Sequence, residues 1–444
     1  MQEITIIEEA FEVMDQLNKD QNNANIQRLL KIVEEDGRKL VTIRRIDAID
    51  DIPGADLIKV ATIEGWKVVV KAGEFQVNDL CVYLEVDSFV QKTDERFAFL
   101  MKNQITWEGV EGARLRTIRL RKQISQGLAL PVKLFPEIAE EIKLAESNYD
   151  EARQLNLTVK LGVMKWDKPV SAQLAGMAKG NFPSFLRKSD QERCQNMAQQ
   201  IFGYEPTEVP FDIEGIPTEA LLSMFNKGEL VHTNNGYAKL RPAQANVDEV
   251  YEVTIKLDGS SMTVYRYKAP VNHYTDDDTP VQLGVCSRNL DLKIEGNEDN
   301  SFVKQAQTGI FEMLEKLGKN IALQGELCGP GIQGNPEGFA YNRFFVYNVF
   351  DIDRQEFLSP LERTELMADL EIMHQVSGLP KIEEVPVVTY GTLASLGIHN
   401  MDDLLKFAEG KSLYAAVREG LVFKSTTTSK QFKAISNKWL EGEK

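Results

Sequence analysis

Residues 250–267 of this 444-residue chain read VYEVTIKLDGSSMTVYRY. Two β-rich runs flank Lys256-Leu257-Asp258-Gly259, so the lysine ends one strand and the glycine precedes the next. A lysine at its ordinary pKa of about 10.4 is protonated at neutral pH and cannot attack. Desolvation or a neighbouring cation, such as a metal ion, lowers that value and frees the nitrogen as a nucleophile. Asp258, two residues on, lies on the same face of an extended chain, where its carboxylate is placed to hold a hydrated metal ion. Gly259 allows the backbone to approach a ligand closely. Alone the pattern is weak, because these residue types are common at strand ends.

Five further elements follow it in order. Ser287-Arg288-Asn289 ends a β-rich run, and Gln324-Gly325-Glu326-Leu327 follows a short apolar one. Then come FFVYNVFDI at 344–352, Arg418-Glu419-Gly420-Leu421-Val422-Phe423-Lys424, and Phe432-Lys433-Ala434-Ile435-Ser436. In order and character the six resemble motifs I, Ia, III, IIIa, IV and V of the covalent nucleotidyltransferases, the superfamily of ATP-dependent DNA and RNA ligases and capping enzymes. The resemblance spans about Gly180 to Lys444, and the ordered set is far more specific than any single motif. DNA ligases and capping enzymes carry an oligonucleotide-binding (OB) domain after motif V, whereas here the candidate OB region precedes motif I. That arrangement looks like the RNA ligase group typified by the Deinococcus and Naegleria enzymes. The stretches IPGADLIKVATIEGWKVVVKAGEF (52–75), SQGLALP (125–131) and GNFPSFLRKSDQERCQN (180–196) look like the same group.

The resemblance implies an ATP-dependent RNA ligase. Lys256 would form a covalent lysyl-AMP intermediate, AMP would pass to an RNA 5′-phosphate, and a 3′-hydroxyl would displace it. Asp258, Glu326 and Glu419 would surround Mg2+ or Mn2+, mostly through its waters. Glu326 would also reach the ribose hydroxyls, and Arg288 would hold ribose or phosphate with its planar fork. Lys433 and Lys424 would neutralise the α-phosphate, and Phe350 would stack on adenine, with Tyr347 as the alternative. Two departures stand out. Ile255 precedes the lysine where RNA ligases often have an acid, and Lys433-Ala434-Ile435 lacks the second lysine of motif V, leaving Lys430 or Lys438. The partner is RNA with 3′-hydroxyl and 5′-phosphate ends, possibly in a nicked duplex; no protein partner is implied. The competing readings are a DNA ligase, a capping-type guanylyltransferase, and a non-catalytic OB nucleic-acid-binding protein.

Upstream, from about Lys39, short β-rich runs alternate with Pro53-Gly54, Glu64-Gly65 and Ala72-Gly73 turns, as in a small closed barrel of OB type. The fold expected is α+β: an OB-type β-barrel followed by a nucleotidyltransferase domain of antiparallel sheets flanked by helices. The expected parts are a helical extension over 1–38, the OB domain over 39–135, a linker over 136–179, and the nucleotidyltransferase domain over 180–444 with an insertion at about 203–246. Helices are expected at Phe302–Leu317, Pro360–His374 and Met401–Ala408.

A net charge of -16 would repel phosphates from most of the surface, so RNA requires a local basic patch. Ala113 to Pro136 contains no acid but carries Arg114, Arg116, Arg119, Arg121, Lys122 and Lys133. This strand region would either bind RNA or, as the resemblance implies, position the pyrophosphate leaving group during adenylylation. Four scattered cysteines without a C-x-x-C pair argue against structural zinc and a disulfide framework. No apolar run approaches the roughly 20 residues of a membrane span, and the acidic N-terminus is unlike a secretory signal. A cytoplasmic protein is expected.

Overall fold

The computed structural model describes residues 22–31, 34, 38–169, 172–202, 207–210, 230–234, 237–240, 249–269 and 280–442. Much of the helical extension expected over 1–38, and most of the 203–246 insertion, lie outside the described residues; 22–31 are helical. Two compact units divide the chain, Met1–Val170 and Ser171–Lys444.

The first unit is built from period-2 strands. In β4 (Trp66–Lys71), Trp66, Val68 and Val70 are buried while Lys67 and Val69 are only partly covered. It pairs with β3 (Ala55–Ile63), which pairs with β2 (Ala48–Ile52). A second sheet joins β1 (Val41–Arg45), β5 (Leu80–Leu84) and β11 (Leu128–Pro131). A third holds β6 (Ser88–Gln91), β7 (Ile105–Trp107), β8 (Val110–Arg114) and β12 (Met164–Lys165). β9 (Ile118–Leu120) and β10 (Gln123–Ser125) form a hairpin. The closed barrel is thus divided into separate ladders among the described residues. Most of the segment expected as a linker packs on the first unit. Helices α1 (Ala139–Ser147) and α2 (Tyr149–Ala152) follow the last barrel strand, and Phe135, Ile138, Ala145, Leu157 and Val163 share one core with Val41, Val82 and Leu84. The Thr158 hydroxyl accepts from the backbone N–H of Leu40 and Val41, tying this segment to β1.

In the second unit the sheet order is β13 (Ala178–Asn181), β21 (Leu290–Leu292), β20 (Gln282–Cys286), β19 (Ser260–Tyr267), β22 (Ile321–Cys328), β23 (Arg343–Asp351), β24 (Glu356–Phe357), with β25 (Glu383–Glu384) also on β23. A second sheet runs β14 (Glu192–Arg193), β28 (Gln431–Ile435), β27 (Gly420–Ser425), β18 (Val250–Lys256), β26 (Val387–Thr392). Pairing is antiparallel except at β14–β28 and β23–β25. Within the insertion, β15 (Thr207–Pro210), β16 (Leu230–Asn234) and β17 (Tyr237–Leu240) form a small sheet.

Helices α3 (Ser301–Gln307) and α4 (Ile310–Leu317) cover the larger sheet through Val303, Met313 and Leu314 against Met262, Val264 and Leu323. They replace the single helix expected at Phe302–Leu317. Gly309 breaks it at φ 115°, where a Cβ would meet Pro380 at 2.5 Å. α5 (Pro360–Ser377) and α6 (Met401–Phe407) complete the unit. No described helix is long and apolar enough to cross a membrane. The chain crosses from the smaller sheet to the larger one through Leu257-Asp258-Gly259, and Ile255, Leu257, Cys328, Phe345 and Val385 form an apolar cluster at that crossing.

Candidate active site

The crossing positions Lys256 because β18 ends there, opposite Gly420 at the start of β27. That register sets Glu419 beside the lysine, whose Nζ donates to Glu419 Oε2 at 2.7 Å. Arg418 fixes the approach to Glu419 by donating to the carbonyls of Phe407, Ala408 and Glu409 at the end of α6. Glu326 comes from β22 of the other sheet and accepts from the Gly259 N–H at 3.2 Å. A Cβ on Gly259 would lie 2.4 Å from the Leu327 carbonyl oxygen and 2.8 Å from Cys328 Sγ. The close approach this glycine permits is therefore to β22, which brings Glu326 and Lys256 together.

The charges are strongly coupled. Burial alone would lower the Lys256 pKa, but Glu419, Glu326 and Asp258 outweigh it and hold the ammonium above its usual value. The lysine is therefore protonated here, the opposite of the depressed state that nucleophilic attack needs. Burial pushes Glu326 up to about 8, with the Glu419 and Asp258 charges adding to the shift and Lys256 opposing it. Among the described residues, no three His, Cys, Asp or Glu side chains stand close enough to bind a metal ion directly.

Arg288 follows β20 and reaches Asp190 at 3.3 Å; its side chain is 59% exposed. Lys433 on β28 donates to the other oxygen of the same carboxylate at 3.0 Å. Burial lowers the Lys433 pKa, Asp190 works against this, and the charges of Lys256 and Arg193 deepen it. Lys424, the third cation, is buried on β27 and pushed down to about 7 by burial and by Arg363. Its ammonium donates to the Tyr347 carbonyl. That carbonyl is displaced by a bulge: Gln324 faces Asn348 and Gly325 faces Val346, leaving Tyr347 without an opposite residue.

The two aromatic candidates differ in burial. Phe350 is 0% exposed, packed with Tyr265, Cys286 and Ile352, and edge-on to Phe357 at 5.1 Å. It is a core residue, which corrects the expectation that it stacks on adenine. Tyr347 is only partly buried, bonds Ser261 Oγ at 3.2 Å, and feels the charges of Glu326, Arg288 and Asp190. Of the lysines considered for the end of motif V, Lys430 pairs with Glu249 at 2.7 Å and Lys438 with Glu409 at 3.1 Å.

Sequence reasoning missed two features. Asp190 lies within the quoted stretch 180–196, but nothing local marks it as the partner of two distant cations. The second is a buried pair beneath the site: Arg363 on α5 makes two bonds to Glu252, at 3.0 and 2.7 Å, and Tyr390 adds a third at 2.9 Å. The visible signal for Glu252 was an acid in the middle of an apolar strand.

Two family models match the chain, an OB-fold domain over residues 40–132 and RNA ligase over residues 249–440. The chain is also similar to solved structures of Naegleria gruberi RNA ligase. A mutant of that enzyme without ligand is 36% identical, covering 91% of this chain and 98% of its own, with a TM-score of 0.67. A mutant with AMP and Mn has the same identity and TM-score and covers 91% of this chain and 99% of its own. A mutant with ATP and Mn is 36% identical over the same shares, with a TM-score of 0.66. No curated protein matches the chain. The fold and these matches define a covalent nucleotidyltransferase. More narrowly, the chain belongs to the RNA ligase family and is an ATP-dependent RNA ligase.

Proposed function

We propose that Lys256 is the nucleophile that carries AMP. The observation that supports this most is the meeting of its Nζ with carboxylates from separate motifs, Glu419 at 2.7 Å and the neighbouring Glu326 and Asp258. The Nζ lone pair attacks the α-phosphorus of ATP, and the bond to the bridging oxygen breaks. Pyrophosphate leaves with that electron pair, giving a lysyl-AMP phosphoramidate. An oxygen of an RNA 5′-phosphate then attacks the same phosphorus, and the P–N bond breaks as Lys256 recovers a proton. Finally an RNA 3′-hydroxyl attacks the 5′-phosphorus, forming the phosphodiester and releasing AMP. The substrate is RNA with 3′-hydroxyl and 5′-phosphate ends, as at a nick.

Lys256 must first lose its proton, which Glu419, Asp258 and, once ionised, Glu326 oppose. Their oxygen-only donor set suits Mg2+ or Mn2+, which would be held mostly through its waters. Such an ion, when bound, offsets the carboxylate charge and so lowers the proton affinity of Lys256. Arg288 and Lys433 hold phosphate oxygens, Lys424 stands at the bulge beneath them, and Tyr347 stacks on the adenine. ATP labelled at the α-phosphate provides the test. Wild-type protein with Mg2+ retains label after denaturation and Lys256→Ala does not. Equal labelling of both proteins excludes Lys256 as the carrier.

A further inference from the structure

We propose that Asp190 is a positioning residue for adenylylation: its carboxylate bridges Arg288 and Lys433 and holds them at the spacing at which both engage one phosphate of the nucleotide. The proposal rests on the phosphate-holding role given above to these two cations. Each oxygen of Asp190 takes one of them, Oδ1 the Lys433 ammonium at 3.0 Å and Oδ2 the Arg288 guanidinium at 3.3 Å. The two cations come from different sheets, Lys433 from β28 and Arg288 from the turn after β20. No ladder bond therefore sets their separation. Arg288 is long and mostly exposed, and an untethered side chain of this kind loses rotamer freedom each time it meets a ligand.

The backbone carrying Asp190 is anchored on both sides. The Ser189 N–H donates to Gln324 Oε1 at 3.0 Å, Gln324 Nε2 donates to the Arg187 carbonyl at 2.7 Å, and Asn348 Nδ2 donates to Ser189 Oγ at 2.6 Å. Gln324 and Asn348 are buried in the larger sheet. Two residues beyond Asp190, β14 joins the smaller sheet with Arg193 beside Lys433. Asp190 is thus stapled between the sheets that contribute the two cations. Moving the backbone at Asp190 would break these part-buried hydrogen bonds, so the residue is held at a fixed place in the wall between the two cations. The bridge leaves further N–H groups on both cations for phosphate oxygens.

The test is single-turnover self-adenylylation of the full-length chain with α-labelled ATP and Mg2+. Asp190→Asn keeps the shape and removes the charge. It is expected to lower the rate constant at saturating ATP by about ten-fold while the apparent ATP KM moves less than about three-fold. Asp190→Glu is expected to recover part of the loss. In a Lys433→Ala background, Asp190→Asn should cause a smaller further loss than in wild type, because one of the two bridged cations is gone. A role confined to folding would instead lower Tm and give multiplicative losses in the double variant, which overturns the proposal. Unchanged or faster adenylylation, or tighter ATP binding, in Asp190→Asn also overturns it, marking the carboxylate as a displaceable stopper. If Lys433→Ala alone adenylylates normally, the phosphate role of Lys433 fails first; if only Asp190→Asn is silent, that role stands and the positioning proposal falls.

Discussion

At the scale of single residues, the site depends on one absent side chain and one reluctant acid. Gly259 lies where a Cβ would sit 2.4 Å from a β22 carbonyl, a contact that backbone has no flexible end to relieve. Gly259→Ala should destabilise the fold by about 1–3 kcal/mol through forced separation of the strands. It should also cut self-adenylylation at least ten-fold, read by denaturant unfolding and α-label incorporation on the same protein. Glu326 keeps its proton up to about pH 8 in the folded protein, against 4.5 as the ordinary value. The folded state therefore binds the extra proton between those values. The contribution is fully present below 4.5 and is lost as pH rises through 8. The Tm of the ligand-free protein should fall over that window, and Glu326→Gln should flatten the fall. An unchanged slope in the variant would assign the pH dependence to other groups.

At the scale of elements, the β9–β10 hairpin carries a conflict between stability and charge. Leu120 pairs with Gln123, so Arg121 and Lys122 form the two-residue turn, at φ 52° and 70°. Such turns favour Asn-Gly, and two long side chains in the left-handed region are strained. Both residues are exposed, as is Arg119. Arg121→Asn with Lys122→Gly should raise stability by about 1 kcal/mol or more while weakening RNA binding, measured by urea unfolding and a binding titration. Tighter or unaltered RNA binding would show that the strain serves something else. The acid-free segment is not uniform, however. Arg114 pairs with Asp87 at 2.6 Å and stacks over Trp166 at 3.5 Å, so this arginine knits its own unit together. The basic run was legible in the sequence; its division into structural and exposed cations was not, because Asp87 and Trp166 lie far from it along the chain.

At the scale of the whole molecule, a net charge of -16 makes RNA binding a matter of local fields. Each phosphate neutralised on a duplex contributes roughly -0.9 to the slope of log affinity against log salt. Reversing Arg119 and Arg121 to Glu should weaken binding most at low salt and make the slope shallower by up to about 2 if each meets one phosphate. Parallel lines for wild type and variant would remove the hairpin from the RNA surface. Adenylylation with free ATP, measured on the same variant, reports whether these arginines also act on the leaving group.

The sequence by itself determined the chemistry and its order. Lys256, Asp258, Arg288 and Glu419 stand at strand ends and turns, and Glu326 and Lys433 inside short strands, where short-range pattern and period-2 alternation are legible without a fold. Only the tertiary structure decided which of these charges meet. Bond partners such as Lys256–Glu419 and Asp190–Lys433 are 163 and 243 residues apart, and their pairing depends on register across sheets. The same reason explains why the two aromatic candidates differ in burial. A one-residue bulge in β23 leaves Tyr347 unopposed beside the site while Phe350 packs in the core, and a bulge is set by the partner strand, not by the strand's own residues. The proton on Lys256 is likewise a property of the assembled cluster: burial favours losing it, and carboxylates brought in by two other strands hold it in place.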